Sequence, residues 1–208
     1  MPPAIHLQLT NSLDDVAMVA AAIDEVVAGL GLDALDADRI QTAAAEACKN
    51  VVLHAYEGTE GPMDVRLSTA PGAVEVAVLD QGIGIRPHLG ERHYPHNGLG
   101  LPIIHQHAQR ITYTNLRGGG TEVRMEFGVE ARRDPPPGEL AGAVLGRLAH
   151  ADDRAQVLVS IEGEEDAGRV LEGAREALGQ SRDRLAAERR AAGEGGPELL
   201  VLSLPVGD

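Results

Sequence analysis

EACKNVVLHAY, residues 46–56, decides how this chain is read. Its flanks carry the spacing of a buried helix, yet Glu46, Asn50 and His54 recur every four residues and so stack on one helical face. Burying an acid, an amide and an imidazole in a row is costly unless each finds a partner. A carboxylate one turn before an amide suits a hydrated cation and a reacting oxygen: Asn50 offers a neutral oxygen ligand, and Glu46 can take a proton. The plain alternative is a solvated helix face.

Working outward, alternation in AIHLQL predicts a strand with Ile5, Leu7 and Leu9 on one side. TNS offers helix caps, and Val16, Val19, Ala20, Ile23, Val26, Val27 and Leu30 follow helical spacing up to Gly31. A second helix is predicted from about Asp38 to Tyr56. Met63, Val65 and Leu67 alternate in one strand and Val74, Val76 and Val78 in the next, with APG as the hairpin turn. Asp80 keeps the parity of those valines and so points to the covered side.

VLDQGIGI therefore ends a strand on an inward aspartate, followed by Gly82 and Gly84, which let the backbone turn tightly. A buried carboxylate needs a donor, and the exocyclic amine of a base would provide one. The Gly-, Pro- and His-rich stretch 81–100 reads as a long loop, and loops of this length are usually functional or disordered. In HNGLGLPII, Gly98 and Gly100 open a short helix beginning near Leu99, with Pro102 in its first turn. Exposed amides at such a start can seat phosphate. In GGGTEV, Thr121 enters an inward-facing strand position, after a strand marked by Ile111 and Tyr113. Each motif alone has an ordinary reading as a turn or helix entry; their order is what carries information.

Composition narrows the classes. The chain has 208 residues, 43% hydrophobic but only 2% aromatic, so an aliphatic core is expected and a flat ligand would be held by aliphatic walls and hydrogen bonds. A formal net charge of -14 argues against nucleic acid and anionic membrane as partners and permits a basic protein partner. The single cysteine, Cys48, suits a reducing compartment. No apolar run approaches a membrane span, and the start lacks a signal-peptide pattern, so a cytoplasmic protein is expected.

ARRDPPPGE reads as a linker, 131–138, separating a unit at 1–130 from a small α/β segment at 139–208 of unassigned role. In that segment a helix is predicted over 139–150, a strand at QVLVSI, one long helix over 165–191 and a final strand at ELLVLSLP. Five of eight histidines lie between His88 and His107, but His105 and His107 diverge on a helix and no tetrahedral ligand set is completed. Arg86 and Arg92 are read as solvated loop charges rather than as reaching a phosphate or partner. His54 and Tyr56 are read as contacting a partner or closing the helix end, and a packed terminal histidine is the favoured reading of His54.

The ordered set of Glu46-x-x-x-Asn50, Asp80-x-Gly82-x-Gly84, Gly98-x-Gly100 and Gly120-Thr121 resembles the gyrase, histidine kinase and MutL (GHKL) superfamily of ATP-binding domains, the Bergerat fold. Histidine kinases usually carry Asn where this chain has Glu46, and gyrase-like and MutL-like ATPases continue into a large transducer domain. EACKNVVLHAY with NGLGLPII looks most like the small anti-sigma factor serine/threonine kinases. The resemblance implies an α/β, two-layer sandwich: a mixed sheet covered by helices on one face, plus the small C-terminal segment. It implies ATP and Mg²⁺ as cofactors, and a sigma factor and an anti-sigma-factor antagonist protein as partners, with a homodimer permitted.

Residue by residue, the resemblance makes Glu46 the catalytic base and Asn50 the Mg²⁺ ligand. It gives Asp80 the adenine amine and Gly82 and Gly84 the adenine edge. Gly98, Leu99 and Gly100 would approach the phosphates, and Thr121 would complete the base pocket. Lys49 departs from the family pattern and is expected to be solvated or to reach a phosphate. The alternatives are a nucleotide-responsive binding regulator without kinase activity and a simple ATPase.

Overall fold

The computed structural model describes residues 4–84, 100–150, 155–191 and 198–205. Period-two patterning becomes β1 (Ala4–Thr10), and the chain then turns into α1 (Leu13–Leu30). Ser12 caps that helix, its Oγ accepting from the Asp15 N–H at 3.0 Å, and Gly31 ends it at φ 63°. A second cap, Asp33, accepts from the N–H groups of Leu35 and Asp36 and starts α2 (Ala34–Asn50). The helix widens into a π turn, Val51–Ala55. The hairpin β2 (Pro62–Ala70) and β3 (Ala73–Asp80) follows. Then come α3 (Gly100–His107), β4 (Arg110–Asn115) and β5 (Thr121–Gly128).

The remaining elements are α4 (Pro137–Leu148), β6 (Gln156–Ile161), α5 (Glu164–Leu178), a 3₁₀ turn at Gly179–Arg184, β7 (Ala186–Ala191) and β8 (Glu198–Ser203). Among the described residues, eight strands form one sheet in the order β4-β5-β3-β2-β1-β6-β8-β7. The C-terminal segment thus extends the sheet from the β1 edge, through Ile5↔Val159 and His6↔Leu158. His6 Nε2 and Ser160 Oγ share a hydrogen bond of 2.9 Å across that seam. The stretch read as a linker is tied down as well: the N–H groups of Arg132 and Arg133 donate to the Leu30 carbonyl.

Two expectations need correction. The sheet is antiparallel in every pairing rather than mixed. The chain reverses three times between β1 and β2, from β1 into α1, from α1 into α2 and from α2 into β2, so β2 returns antiparallel to β1. β3 and β4 do run in the same direction, but β5 lies between them. The long helix expected over 165–191 stops at Leu178, where Gly179 takes φ 53°. Residues 186–191 instead pair with β8, from Ala186↔Ser203 to Ala191↔Glu198.

The described helices pack on the face of the sheet that carries the main core. The inward parity Leu7, Val65, Val76 and Met125 is fully buried beneath Val19, Ile23, Ile40 and Ala44, with Phe127 as the single phenylalanine of the core. Burying each large aliphatic side chain stabilises the fold by about 1.5–3 kcal/mol. The opposite face carries paired charges such as Arg124 with Glu75 at 2.9 Å and Arg66 with Asp64 at 3.0 Å. Cys48 is fully buried, and burial pushes its thiol up to about 12, so it packs as a small hydrophobe.

In the C-terminal half, α4 meets α5 at backbone distance. A Cβ on Gly142 would sit 2.6 Å from the Ala174 carbonyl oxygen and 2.7 Å from its Cα. A Gly142→Val substitution is therefore expected to cost about 1–3 kcal/mol of stability through overpacking. A urea unfolding midpoint unchanged by it would mean that the two helices are not in contact there.

Candidate functional site

The polar helix face and the inward aspartate are joined by backbone. α2 rests on the sheet through small residues, Ala43, Ala44, Ala47 and Cys48, all essentially unexposed. That leaves Glu46 and Asn50 half-buried on another side, about 6 Å apart along the axis at 1.5 Å per residue. At the helix end, the Ala55 carbonyl accepts from the Ile83 N–H at 2.9 Å. A Cβ on Gly82 would overlap that same carbonyl oxygen, so glycine is required for this close approach. The turn after β3 is thus welded to the π turn that begins immediately after Asn50. π turns concentrate at functional positions in helices.

Asp80 is 7% exposed at the last position of β3. Its Oδ1 accepts from the Gly82 N–H at 2.8 Å, and the Thr121 N–H also donates to the carboxylate. Burial is the main influence and raises its carboxyl above the usual range, with the two N–H donors opposing. Carboxylate oxygens offer about four acceptor sites, so two backbone donors orient the group while leaving capacity for a ligand amine. Thr121 is 6% exposed on the neighbouring strand. Gly84 lies in the left-handed region at φ 72°, where a side chain would meet Asn115 Oδ1 at 3.2 Å.

Asp80, Gly82, Gly84 and Thr121 therefore form one contiguous cluster, with the C-terminal end of α2 attached to it. Gly100 is the first residue of α3, while Gly98, Leu99, Arg86 and Arg92 lie outside the described residues. Lys49 Nζ is 3.8 Å from Glu46 Oε2. An ion pair this exposed is worth about 0–1 kcal/mol, so Glu46 can exchange Lys49 for another partner at little cost.

The described residues hold no group of three or more His, Cys, Asp or Glu side chains arranged for a metal. The donor set at α2 nevertheless suits Mg²⁺ arriving on phosphates, since that ion uses few protein oxygens and keeps phosphate and water ligands. An open groove of about 490 Å³ lies elsewhere, lined by Thr10, Asn11, Ser12 and Val52 among others. It contains none of the clustered residues.

Two contributors escaped the sequence reading. Asn115 pairs with Thr121 and shares its face of the sheet. The alternation of Ile111 and Tyr113 could have exposed it by parity. Ala55 acts through its carbonyl, which no side-chain motif records.

The profile described as "Histidine kinase-like ATPase domain" matches residues 9–127, more than half of the chain. The serine-protein kinase RsbW of Bacillus cereus (strain AH820) is 27% identical over 112 residues, covering 48% of this chain and 70% of that protein. The serine-protein kinase RsbW of Bacillus mycoides (strain KBAB4) is 26% identical over the same length and coverage. Among solved structures, the RsbU and RsbW domains of Rv1364c from Mycobacterium tuberculosis align with a TM-score of 0.46 and 20% identity. That alignment covers 63% of this chain and 33% of the other. None of the described helices is long and apolar enough to cross a membrane.

Proposed function

The chain belongs to the histidine kinase-like ATPase domain family over residues 9–127, and from that membership we propose that it is an ATP-dependent serine/threonine protein kinase acting as an anti-sigma regulator. The observation that carries the reading is the buried Asp80 carboxylate, oriented by the Gly82 and Thr121 N–H groups at the end of the helix that bears Glu46 and Asn50. The similarity to proteins named serine-protein kinase supports the transfer chemistry. The anti-sigma role rests on the ordered motifs and on the acidic charge, which suits a basic partner.

In this reading Asp80 accepts the adenine amine, and Thr121 closes the base pocket. Gly82 and Gly84 shape its edge, and the motif of Gly98, Leu99 and Gly100 would serve the phosphates. Asn50 would hold Mg²⁺ through its side-chain oxygen, and the ion would neutralise phosphate charge. Glu46 receives the proton of a serine or threonine hydroxyl as that oxygen bonds to the γ-phosphorus and ADP leaves. The partners are a sigma factor, which is sequestered, and an antagonist protein, which is phosphorylated. The compartment is the cytoplasm, in keeping with a lone, buried thiol.

The test is incubation of the chain with ATP, Mg²⁺ and proteins captured from its native host, followed by phosphosite mapping. Phosphoserine or phosphothreonine on a captured protein is the expected result. Nucleotide-dependent capture without any transfer would replace the kinase with a non-catalytic regulator, and partner-independent phosphate release would make it a simple ATPase.

A further inference from the structure

We propose that Tyr56 is a positioning residue for nucleotide recognition, its hydroxyl latching the Asp80–Gly82 turn to the start of β2 and the end of the α2 π turn. The proposal rests on Asp80 being the base acceptor argued above. Met63↔Asp80 is the last register pair of the β2–β3 ladder on that side. The next rung would join the Pro62 carbonyl to the Gln81 N–H. Instead the Tyr56 phenol is inserted between them: its O–H donates to the Pro62 carbonyl, and the Gln81 N–H donates to its oxygen at 2.8 Å.

Only a side chain that gives and accepts at one atom can bridge a carbonyl and an amide in this way. The ring is fixed by packing, since a Cβ on Gly61 would overlap it. Thr59 holds the Tyr56 carbonyl through both its N–H at 3.0 Å and its Oγ1 at 2.7 Å. Burial raises the phenol above its ordinary range, the Gln81 N–H opposes this, and the Asp80 charge adds to it, so the hydroxyl keeps its proton. Spreading the two strands by the width of one oxygen lets residues 81–83 depart from the ladder toward the Ala55 carbonyl. That departure is what aims Asp80 across the end of α2.

The test uses Tyr56→Phe in the full chain, which keeps the ring and removes only the hydroxyl. Three readouts are needed: amide exchange at Gln81, Gly82 and Ile83 without nucleotide, ATP affinity, and the preference for ATP over GTP. Tyr56→Phe removes both hydroxyl bonds, and loss of the one that holds the Gln81 N–H predicts about five- to tenfold faster exchange there, a similar loss of ATP affinity, and a narrowed ATP/GTP ratio. A lower melting temperature with unchanged exchange, affinity and base preference would reduce Tyr56 to a structural residue and overturn the proposal. So would faster exchange with unaltered ATP binding. A wild-type chain that binds no ATP would instead defeat the functional reading, and amide exchange alone would then decide whether the hydroxyl holds the turn.

Discussion

Asp80→Ala is expected to lower ATP affinity by about a hundredfold. A hydrogen bond to a charged group contributes about 1.5–3 kcal/mol, so losing the base contact accounts for most of that factor. The rest comes from disorder, because the same carboxylate anchors the Gly82 and Thr121 N–H groups. Burial of Asp80 at 7% exposure raises the cost of its charged form and thereby favours any ligand donor that reaches it. Asp80→Asn separates the two contributions, since the amide oxygen can still accept from one backbone N–H while its NH₂ opposes a base amine. The measurement is calorimetric titration of ATP, with thermal unfolding alongside. Full ATP affinity in Asp80→Ala would remove this residue from the site.

Glu46→Gln is expected to leave ATP affinity within about twofold and to lower phosphoryl transfer by about 10²–10⁴-fold, the usual contribution of a general base. Glutamine preserves length and helix propensity, and the ion pair of Glu46 with Lys49, at 3.8 Å and partly exposed, is weak. The fold therefore has little reason to change. The assay is single-turnover transfer to the captured substrate protein at saturating ATP. A companion change, Lys49→Ala, separates two accounts of the ion pair. Unaltered transfer would make Lys49 an incidental neighbour of the base, whereas a parallel loss would show that it holds Glu46 in place. Transfer by Glu46→Gln at the wild-type rate would exclude Glu46 as the proton acceptor.

The site was legible to the extent that it follows periodicity. Asp80 shares the parity of Val74, Val76 and Val78, and that parity places it among buried side chains. Glu46 and Asn50, one turn apart, flank the buried alanine stripe and are half-buried. Long-range pairing was not legible. Nothing local to QVLVSI says that it joins β1, whose paired residues Ile5 and His6 lie far earlier in the chain than Val159 and Leu158. The stretch AAERRA, residues 186–191, is composed of good helix formers, yet pairing with β8 draws it into an edge strand, where Arg189 forms an ion pair with Glu198 at 2.7 Å.

Backbone chemistry was equally hidden. The Ala55 carbonyl, which binds Ile83 and crowds Gly82, carries no side-chain signature. Gly82 was expected to approach a ligand, and its bare Cα is also needed for contact with the helix end. The C-terminal half has a corresponding consequence. Because β6 occupies the β1 edge and residues 132–133 bond to the end of α1, this segment is built onto the ATPase-like half rather than hung from it.

The most direct test is a crystal structure of the full chain with Mg²⁺ and a non-hydrolysable ATP analogue. The account predicts the adenine amine within hydrogen-bonding distance of the Asp80 carboxylate and the phosphates directed toward Asn50. An analogue bound elsewhere, or one whose base does not touch Asp80, would contradict it.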